Sequence, residues 1–379
     1  MDRHQLIKQI QKKRNSKVIT YVTSDRPPVA ARIAEDAVRP LYDHLTALDS
    51  SEKVDLFIYS RGGDVSVPWR IVSMFREFCD EFSVLVPYKA HSAATLLSLG
   101  ADYIYMGRKA ELGPIDPTLY RMGLGESANP PQEISVEDVN SYISFIKDRA
   151  NINDQNALSQ LVSILANNIG PLTLGSVNRQ NSHIRLVAKK LLASRKEKHS
   201  EDKMTSIIDT LTEKMYFHGH AIGRREAKEL GLPVEYPDAD LEKLIWSLYL
   251  EYEDYMKFNE PIDPMTALQQ SETFHLDDIT IAMIESEAKS HKFPLKLDMK
   301  KRRQVPPNPQ ITVNVNLNLP PNISPQQIPE NIQGILQQAL NQLAQDVQRQ
   351  TQQELIRQSP EVGVDIRNYG GRWIENREN

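Results

Sequence analysis

Two β-rich runs, Val54 to Ser60 and Phe82 to Tyr88, each end in a short turn that leads directly into a segment with helical spacing. Their apolar residues are consecutive rather than alternate, which is the pattern of strands covered on both faces. Arg61-Gly62-Gly63 breaks the first run, and Val67 to Phe78 resumes as helix. After the second, Ser92 to Leu99 is helical, and Tyr103 to Met106 and Glu111 to Ile115 read as short strands. Upstream, Val18, Ile19, Tyr21 and Val22 make Lys17 to Thr23 a strand, and Ile33 to Leu48 has helical spacing. Strand and helix in alternation predict an α/β layer architecture with right-handed crossovers.

From Tyr120 to Gly170 the pattern changes. Gly and Pro cluster at Gly123 to Pro131, and Val136 to Ala150 and Ala157 to Ala166 have helical spacing, so an inserted helical segment is expected over 120–170. Helices are expected again at Gly175 to Lys198, Asp202 to Tyr216 and Glu226 to Leu230, the last closed by Gly231. A main domain over 1–250 would then be followed by a helical extension over 251–303. The stretch 304–330, crowded with Pro, Asn and Gln, lacks the apolar density that offsets the cost of ordering a chain and reads as a linker. In the C-terminal segment 331–379, Ile332, Ile335, Leu336, Ala339, Leu340, Leu343 and Val347 share one helix face. The plain expectation is that this face packs on the chain's own core, with a second subunit as the alternative. Lys300-Lys301-Arg302-Arg303 is expected to be solvated.

The formal net charge is −5, from 45 basic and 50 acidic residues, so the chain has no global field for nucleic acid or an anionic membrane. Cys79 is the only cysteine, which excludes an internal disulfide and a thiolate metal cluster and suits a reducing, cytoplasmic setting. The polar start, Met1 to Lys17, and the lack of an apolar run near the roughly 18 residues that span a bilayer predict neither a secretory leader nor an integral membrane segment. No metal-binding or nucleotide-binding motif occurs, and no cofactor is expected.

The chemistry is expected at the two strand-to-helix turns. A helix start presents unpaired N–H groups and a partial positive charge, which suits a developing oxyanion. Gly62 and Gly63 allow close backbone approach because no Cβ intervenes. Ser92, with small neighbours Ala90, Ala93 and Ala94, can project its hydroxyl into a cleft toward which the next N–H also points. Taken alone, such a serine is an ordinary helix cap.

Four motifs add to this reading. They are Leu56-Phe57-Ile58-Tyr59-Ser60-Arg61-Gly62-Gly63-Asp64, Val86-Pro87-Tyr88-Lys89-Ala90-His91-Ser92-Ala93-Ala94, Glu111-Leu112-Gly113-Pro114-Ile115-Asp116-Pro117, and the stretch from His218-Gly219-His220 to Pro233-Val234. In order and spacing they resemble the serine dehydrogenase proteinase (SDH) family, ClpP/crotonase-fold serine peptidases related to signal peptide peptidase A. The resemblance implies a spiral of β-β-α units. It also implies Ser92 as nucleophile, an oxyanion hole from the N–H groups of Ala93 and of Gly62 or Gly63, and a peptide groove beside Gly113. A homo-oligomer is implied as well, since relatives with this fold form rings.

The proton acceptor departs from the family pattern. Asp116 stands where ClpP carries its histidine, and Arg179, which stays protonated, stands near the expected lysine of signal peptide peptidase A. Three substitutes are open: His218 oriented by Asp116, Lys147 on the inserted segment, and Lys190. His91 and His183 are expected to be structural. The leading expectation is an ATP-independent endopeptidase that acts on peptides or proteins through an acyl-enzyme. The alternatives are a catalytically inactive assembly or peptide-binding protein, and acyl-CoA chemistry on the same fold.

Overall fold

In the first strand, Lys17–Thr23 (β1), Ile19 and Tyr21 join one apolar cluster, while Val18 and Val22 join another on the opposite face. Ser51–Tyr59 (β2) repeats this, with Leu56 and Ile58 in the first cluster and Phe57 and Tyr59 in the second. Cys79–Val86 (β3) pairs in parallel with β2; Lys89–Ala90 (β4) lies outside this sheet, and Tyr103–Met106 (β5) pairs in parallel with β3. Two-sided burial is what the consecutive apolar runs require. Arg3–Arg14 (α1) covers the second cluster, and Val38–Leu48 (α2), Val67–Arg76 (α3) and Ala93–Ser98 (α4) cover the first.

The computed structural model describes residues 2–115, 118–121, 132–215, 219–269, 271–304 and 329–376. After Glu111–Leu112 (β6), the hairpin of Thr118–Arg121 (β7) and Gln132–Ser135 (β8) is followed by Val136–Ser144 (α5), a π-turn at Phe145–Arg149 and Gln155–Ile169 (α6). Val139 of α5 and Leu165 of α6 pack with Val177 of the long helix Pro171–Ala193 (α7), giving the inserted segment its own small core. Glu201–Asp209 (α8), Ile222–Gly223 (β9), Arg224–Glu229 (α9), Val234–Glu235 (β10) and Ala239–Tyr255 (α10) follow. β10 extends the parallel sheet beside β5, and β4, β6 and β9 form a separate three-stranded sheet. α10 joins α1 on the second face.

The helical extension expected over 251–303 is corrected. Helix ends at Tyr255, and after the short Pro264–Ala267 (α11) the chain runs as two strands, Thr273–Ser286 (β11) and Ser290–Arg303 (β12). The signal was period two: Phe293, Leu295, Leu297 and Met299 occupy every second position, and the last three are buried. β11 pairs antiparallel with β1, with Tyr21 opposite Ile284, and closes an edge that would otherwise present unpaired N–H and C=O groups. The main unit therefore comprises Met1–Ile262, Asp277–Lys296 and Tyr369–Asn379 rather than 1–250. Within it, Ile374–Glu375 (β14, numbered after the two elements below) pairs with β12.

The second unit, Asp263–Leu276 and Leu297–Asn368, holds Glu330–Gln358 (α12) and Glu361–Tyr369 (β13), the latter beside β12. Three of the four basic residues expected to be solvated have ion-pair partners: Lys301 pairs with Glu361, Arg303 with Glu272 and Glu361, and the exposed Arg302 with Asp365 at 3.7 Å. Along α12, Ile332, Ile335, Leu343 and Val347 are exposed among the described residues. Most of the linker read at 304–330 lies outside the described residues. No described helix is long and apolar enough to cross a membrane.

Buried charge ties the elements of the main unit together. Asp102 accepts from both terminal nitrogens of Arg76 (2.6 and 2.9 Å) and from the backbone N–H groups of Phe82 and Lys196, and these partners hold its carboxyl below the usual range against the opposing effect of burial. Asp102→Ala leaves Arg76 buried without its anion and should cost about 3 kcal/mol in chemical denaturation. His44 is fully buried, its Nδ1 2.7 Å from the Ser286 hydroxyl and its Nε2 3.0 Å from His291, and burial pushes its pKa down to about 3. The unfolded chain takes up this proton near pH 6.5, so the stability from neutral His44 is full above that pH and falls as pH drops toward 3. A series of denaturation midpoints over that range should slope less steeply in His44→Gln than in the wild type.

Candidate active site

Ser92 adopts φ 50° and ψ −114° at the start of α4, a left-handed backbone that a residue with a Cβ visits only at a cost of about 1–3 kcal/mol. The turn is forced from both sides. β4 ends at Ala90, whose carbonyl accepts the buried Thr95 hydroxyl at 2.6 Å, and His91 N–H donates to the Ser60 carbonyl at 3.0 Å. Helix starts again at Ala93, so only two residues are left to reverse direction. The result is a strand-turn-helix elbow that places a half-buried serine at its apex, with no side-chain bond capping its own helix.

The glycine bend lies against this elbow. A Cβ on Gly62 (φ +108°) would sit 2.7 Å from the Ser92 Cβ and 2.9 Å from the His91 carbonyl. One on Gly63 would sit 2.1 Å from the Ile33 carbonyl, so both positions are closed to side chains by neighbouring backbone. Ser60 and Ala90 form a parallel bridge between the arms, and Ile33 and Gly63 form another behind the bend.

Hydrogen bonds sort the candidate oxyanion donors. The Gly62 N–H donates to the Ser60 hydroxyl oxygen at 3.0 Å, and that hydroxyl also accepts from Thr23 at 2.8 Å. The Gly62 carbonyl accepts from Ile33 N–H at 2.8 Å. In a trans peptide C=O and N–H point opposite ways, so this bond turns the Gly63 N–H away from Ile33. The Gly63 and Ala93 N–H groups donate to no acceptor among the described residues, whereas the Ala94 N–H is held by the His91 carbonyl. Of the two glycines left open by sequence, Gly63 is the one with an unspent donor.

Gly113 donates to the Thr95 hydroxyl oxygen at 2.9 Å, and its Cα faces the His91 ring. The His91 Nε2 lies 3.2 Å from the Glu111 carboxylate, across the pair β4–β6. Asp116 and His218 fall outside the described residues. Lys147 is exposed on the π-turn, Lys190 is exposed with its ammonium 5.6 Å from the Trp69 ring centroid, and Arg179 is exposed and donates to Ser176. Among the described residues no group of three His, Cys, Asp or Glu side chains is arranged to hold a metal.

Sequence reasoning missed Thr95, which joins the Ser92 turn to the Gly113 strand, and the Thr23–Ser60 pair, which fixes the bend. Thr95 lies inside an apolar run, and Thr23 and Ser60 each close one, and that was the available signal.

Residues 1–168 match the model of the ClpP-like SDH-type serine proteinase family. Two uncharacterised proteins of Methanocaldococcus jannaschii are similar to the chain. One is 26% identical over 239 residues, 62% of this chain and 73% of its own length; the other is 22% identical over 246 residues, 62% and 72%. Among solved structures, a mutant of the 1510-N membrane-bound stomatin-specific protease is 16% identical, covering 60% of this chain and 85% of its own, with a TM-score of 0.32. ClpP1 from Listeria monocytogenes is 14% identical, covering 62% and 99%, with a TM-score of 0.33. The family-matched stretch holds Ser92, the paired glycines and Gly113, and it ends before α7.

Gly62→Ala should drive a methyl group into the Ser92 Cβ. We expect at least a ten-fold slower reaction of Ser92 with an active-serine probe, because a displacement of about 1 Å costs on the order of 100-fold in rate. The check is labelling rate against the folded fraction measured by circular dichroism.

Proposed function

We propose that this chain is a serine peptidase that hydrolyses peptides or proteins through an acyl-enzyme on Ser92. The observation that carries the reading is the elbow itself: a serine in a strained backbone, in contact with a double-glycine bend, beside two amide donors with no partner among the described residues. As the hydroxyl attacks a peptide carbonyl, the oxygen gains negative charge. The N–H groups of Gly63 and Ala93 receive that charge without reorganising, a type of stabilisation worth about 3–4 kcal/mol per donor. The serine proton passes to His218, oriented by Asp116, which returns it to the leaving amine. Water then repeats the attack on the ester. Lys147 is the competing base.

In this reading an extended peptide lies beside Gly113 and gains its affinity from backbone pairing, with little sequence preference. The reaction needs no nucleotide and no cofactor. We propose a cytoplasmic homo-oligomer, with the exposed face of α12 as one contact between copies.

The test is labelling with a fluorophosphonate, read by intact mass. The wild type should gain one adduct on Ser92, and Ser92→Ala none. A wild-type protein that stays unmodified at saturating probe would instead be the inactive assembly protein. For the base, His218→Ala should lower casein hydrolysis by about a thousand-fold while Lys147→Met leaves it within two-fold. The reverse pattern would transfer the role to Lys147.

A further inference from the structure

Asp25 lies two residues beyond the end of β1. Its carboxylate accepts from Lys89 Nζ at 2.9 Å and from Arg61 Nε at 3.0 Å, and the buried Tyr59 hydroxyl donates to it as well. Those three partners belong to the two arms of the site. Tyr59 ends β2, and Arg61 begins the bend, one residue before Gly62; Lys89 opens β4, three residues before Ser92. The carboxylate is 13% exposed and the Lys89 side chain 14%. The Asp25–Lys89 pair is dry enough for a charge-assisted bond of the stronger kind, whereas the Arg61 side chain, 62% exposed, adds a weaker, solvated bond to the same carboxylate.

The arms need such a tie. Among the described residues, the backbone hydrogen bonds between them are those of the one bridge between Ser60 and Ala90. On one side of it come two glycines, the residues with the widest conformational choice, and on the other a serine held in a strained conformation. A side-chain bridge at the level of Arg61 and Lys89 removes the remaining hinge freedom between them.

We infer that Asp25 is a positioning residue, whose carboxylate clasps the glycine bend to the nucleophile turn and so sets the gap between the Gly63 N–H and the Ser92 hydroxyl. The inference rests on the reading of Ser92 as the nucleophile. Asp25 makes no bond in the reaction; it acts through Arg61 and Lys89. Its removal should therefore reduce turnover and leave ester binding nearly unchanged.

The experiment uses the full chain as wild type, Asp25→Asn, Asp25→Glu and the double variant Asp25→Asn with Lys89→Met. Hydrolysis of p-nitrophenyl butyrate gives kcat and KM, thermal melting gives stability, and hydrogen exchange reports the Gly62 amide, which is bonded to the Ser60 hydroxyl. Asp25→Asn should lower kcat about 10- to 100-fold, with KM within about three-fold, and speed exchange at Gly62 about ten-fold. Asp25→Glu should recover part of kcat. The double variant, which no longer buries an unpaired ammonium, should recover the melting temperature but not kcat. If kcat returns together with stability in the double variant, Asp25 is only structural and the inference is overturned. Wild-type kcat in Asp25→Asn overturns it equally. A wild-type chain that hydrolyses no ester rejects the nucleophile reading instead, and Gly62 exchange in Asp25→Asn then still decides whether the clasp exists: unchanged exchange rejects it, faster exchange supports it.

Discussion

A serine backbone held at φ 50° is the constraint on which the site depends, because every neighbouring contact either enforces that conformation or exploits it. Left to itself the turn would relax, since the strain is of the same order as one good hydrogen bond. It persists because Thr95 pins the strand before it, the Ser60–Ala90 bridge pins its flank, and the bare Cα of Gly62 fills the space beneath it. Relaxing Ser92 would push its Cβ against Gly62 or break the bonds that hold Ala90 and His91. The strain is thus distributed over contacts that the surrounding sheet and helices already require.

The donors follow the same logic. A glycine bend has many conformations, and an oxyanion hole needs one. Here the Ile33 N–H holds the Gly62 carbonyl on one side, and the Ser60 hydroxyl holds the Gly62 N–H on the other. The two peptides that flank Gly62 are therefore each fixed by one partner, and the Gly63 N–H is what remains. The arms of the site all leave from the carboxyl ends of adjacent parallel strands, β1 for Asp25, β2 for the bend and β3 for the Ser92 turn. This is where an α/β sheet places its loops together.

Much of this was legible in the sequence because two-sided burial writes itself as consecutive apolar residues. Lys17 to Thr23, Val54 to Ser60 and Phe82 to Tyr88 each appear as strands within a few residues of the predicted ends. Ser92 and Gly62 were legible as strand-to-helix turns, and their contact required coordinates. What stayed hidden was of two kinds. The β11–β12 hairpin carries its apolar residues at alternate positions among charged ones, and that pattern was taken for a polar helical extension. Asp25 carries no local signature at all, since an Asp after a strand is an ordinary loop residue until Arg61 and Lys89 arrive from distant sequence.

The hairpin bears on the site more than its distance along the chain suggests. The family-matched stretch ends at residue 168, yet β1 is flanked on its outer side by β11, with Ile19 opposite Ser286 and Thr23 opposite Ala282. Without that pairing β1 would be an edge strand, its outward N–H and C=O groups bound only to water and its end free to fray. Ser24 continues the pairing through its N–H to the Ile281 carbonyl at 2.7 Å, and Asp25 is the next residue. The carboxylate that clasps the two arms is thus anchored by a strand far outside the matched stretch. Cutting the chain after the family-matched residues would remove this support along with α7 to α10, so the stretch that carries Ser92 is not by itself the unit that holds it in shape.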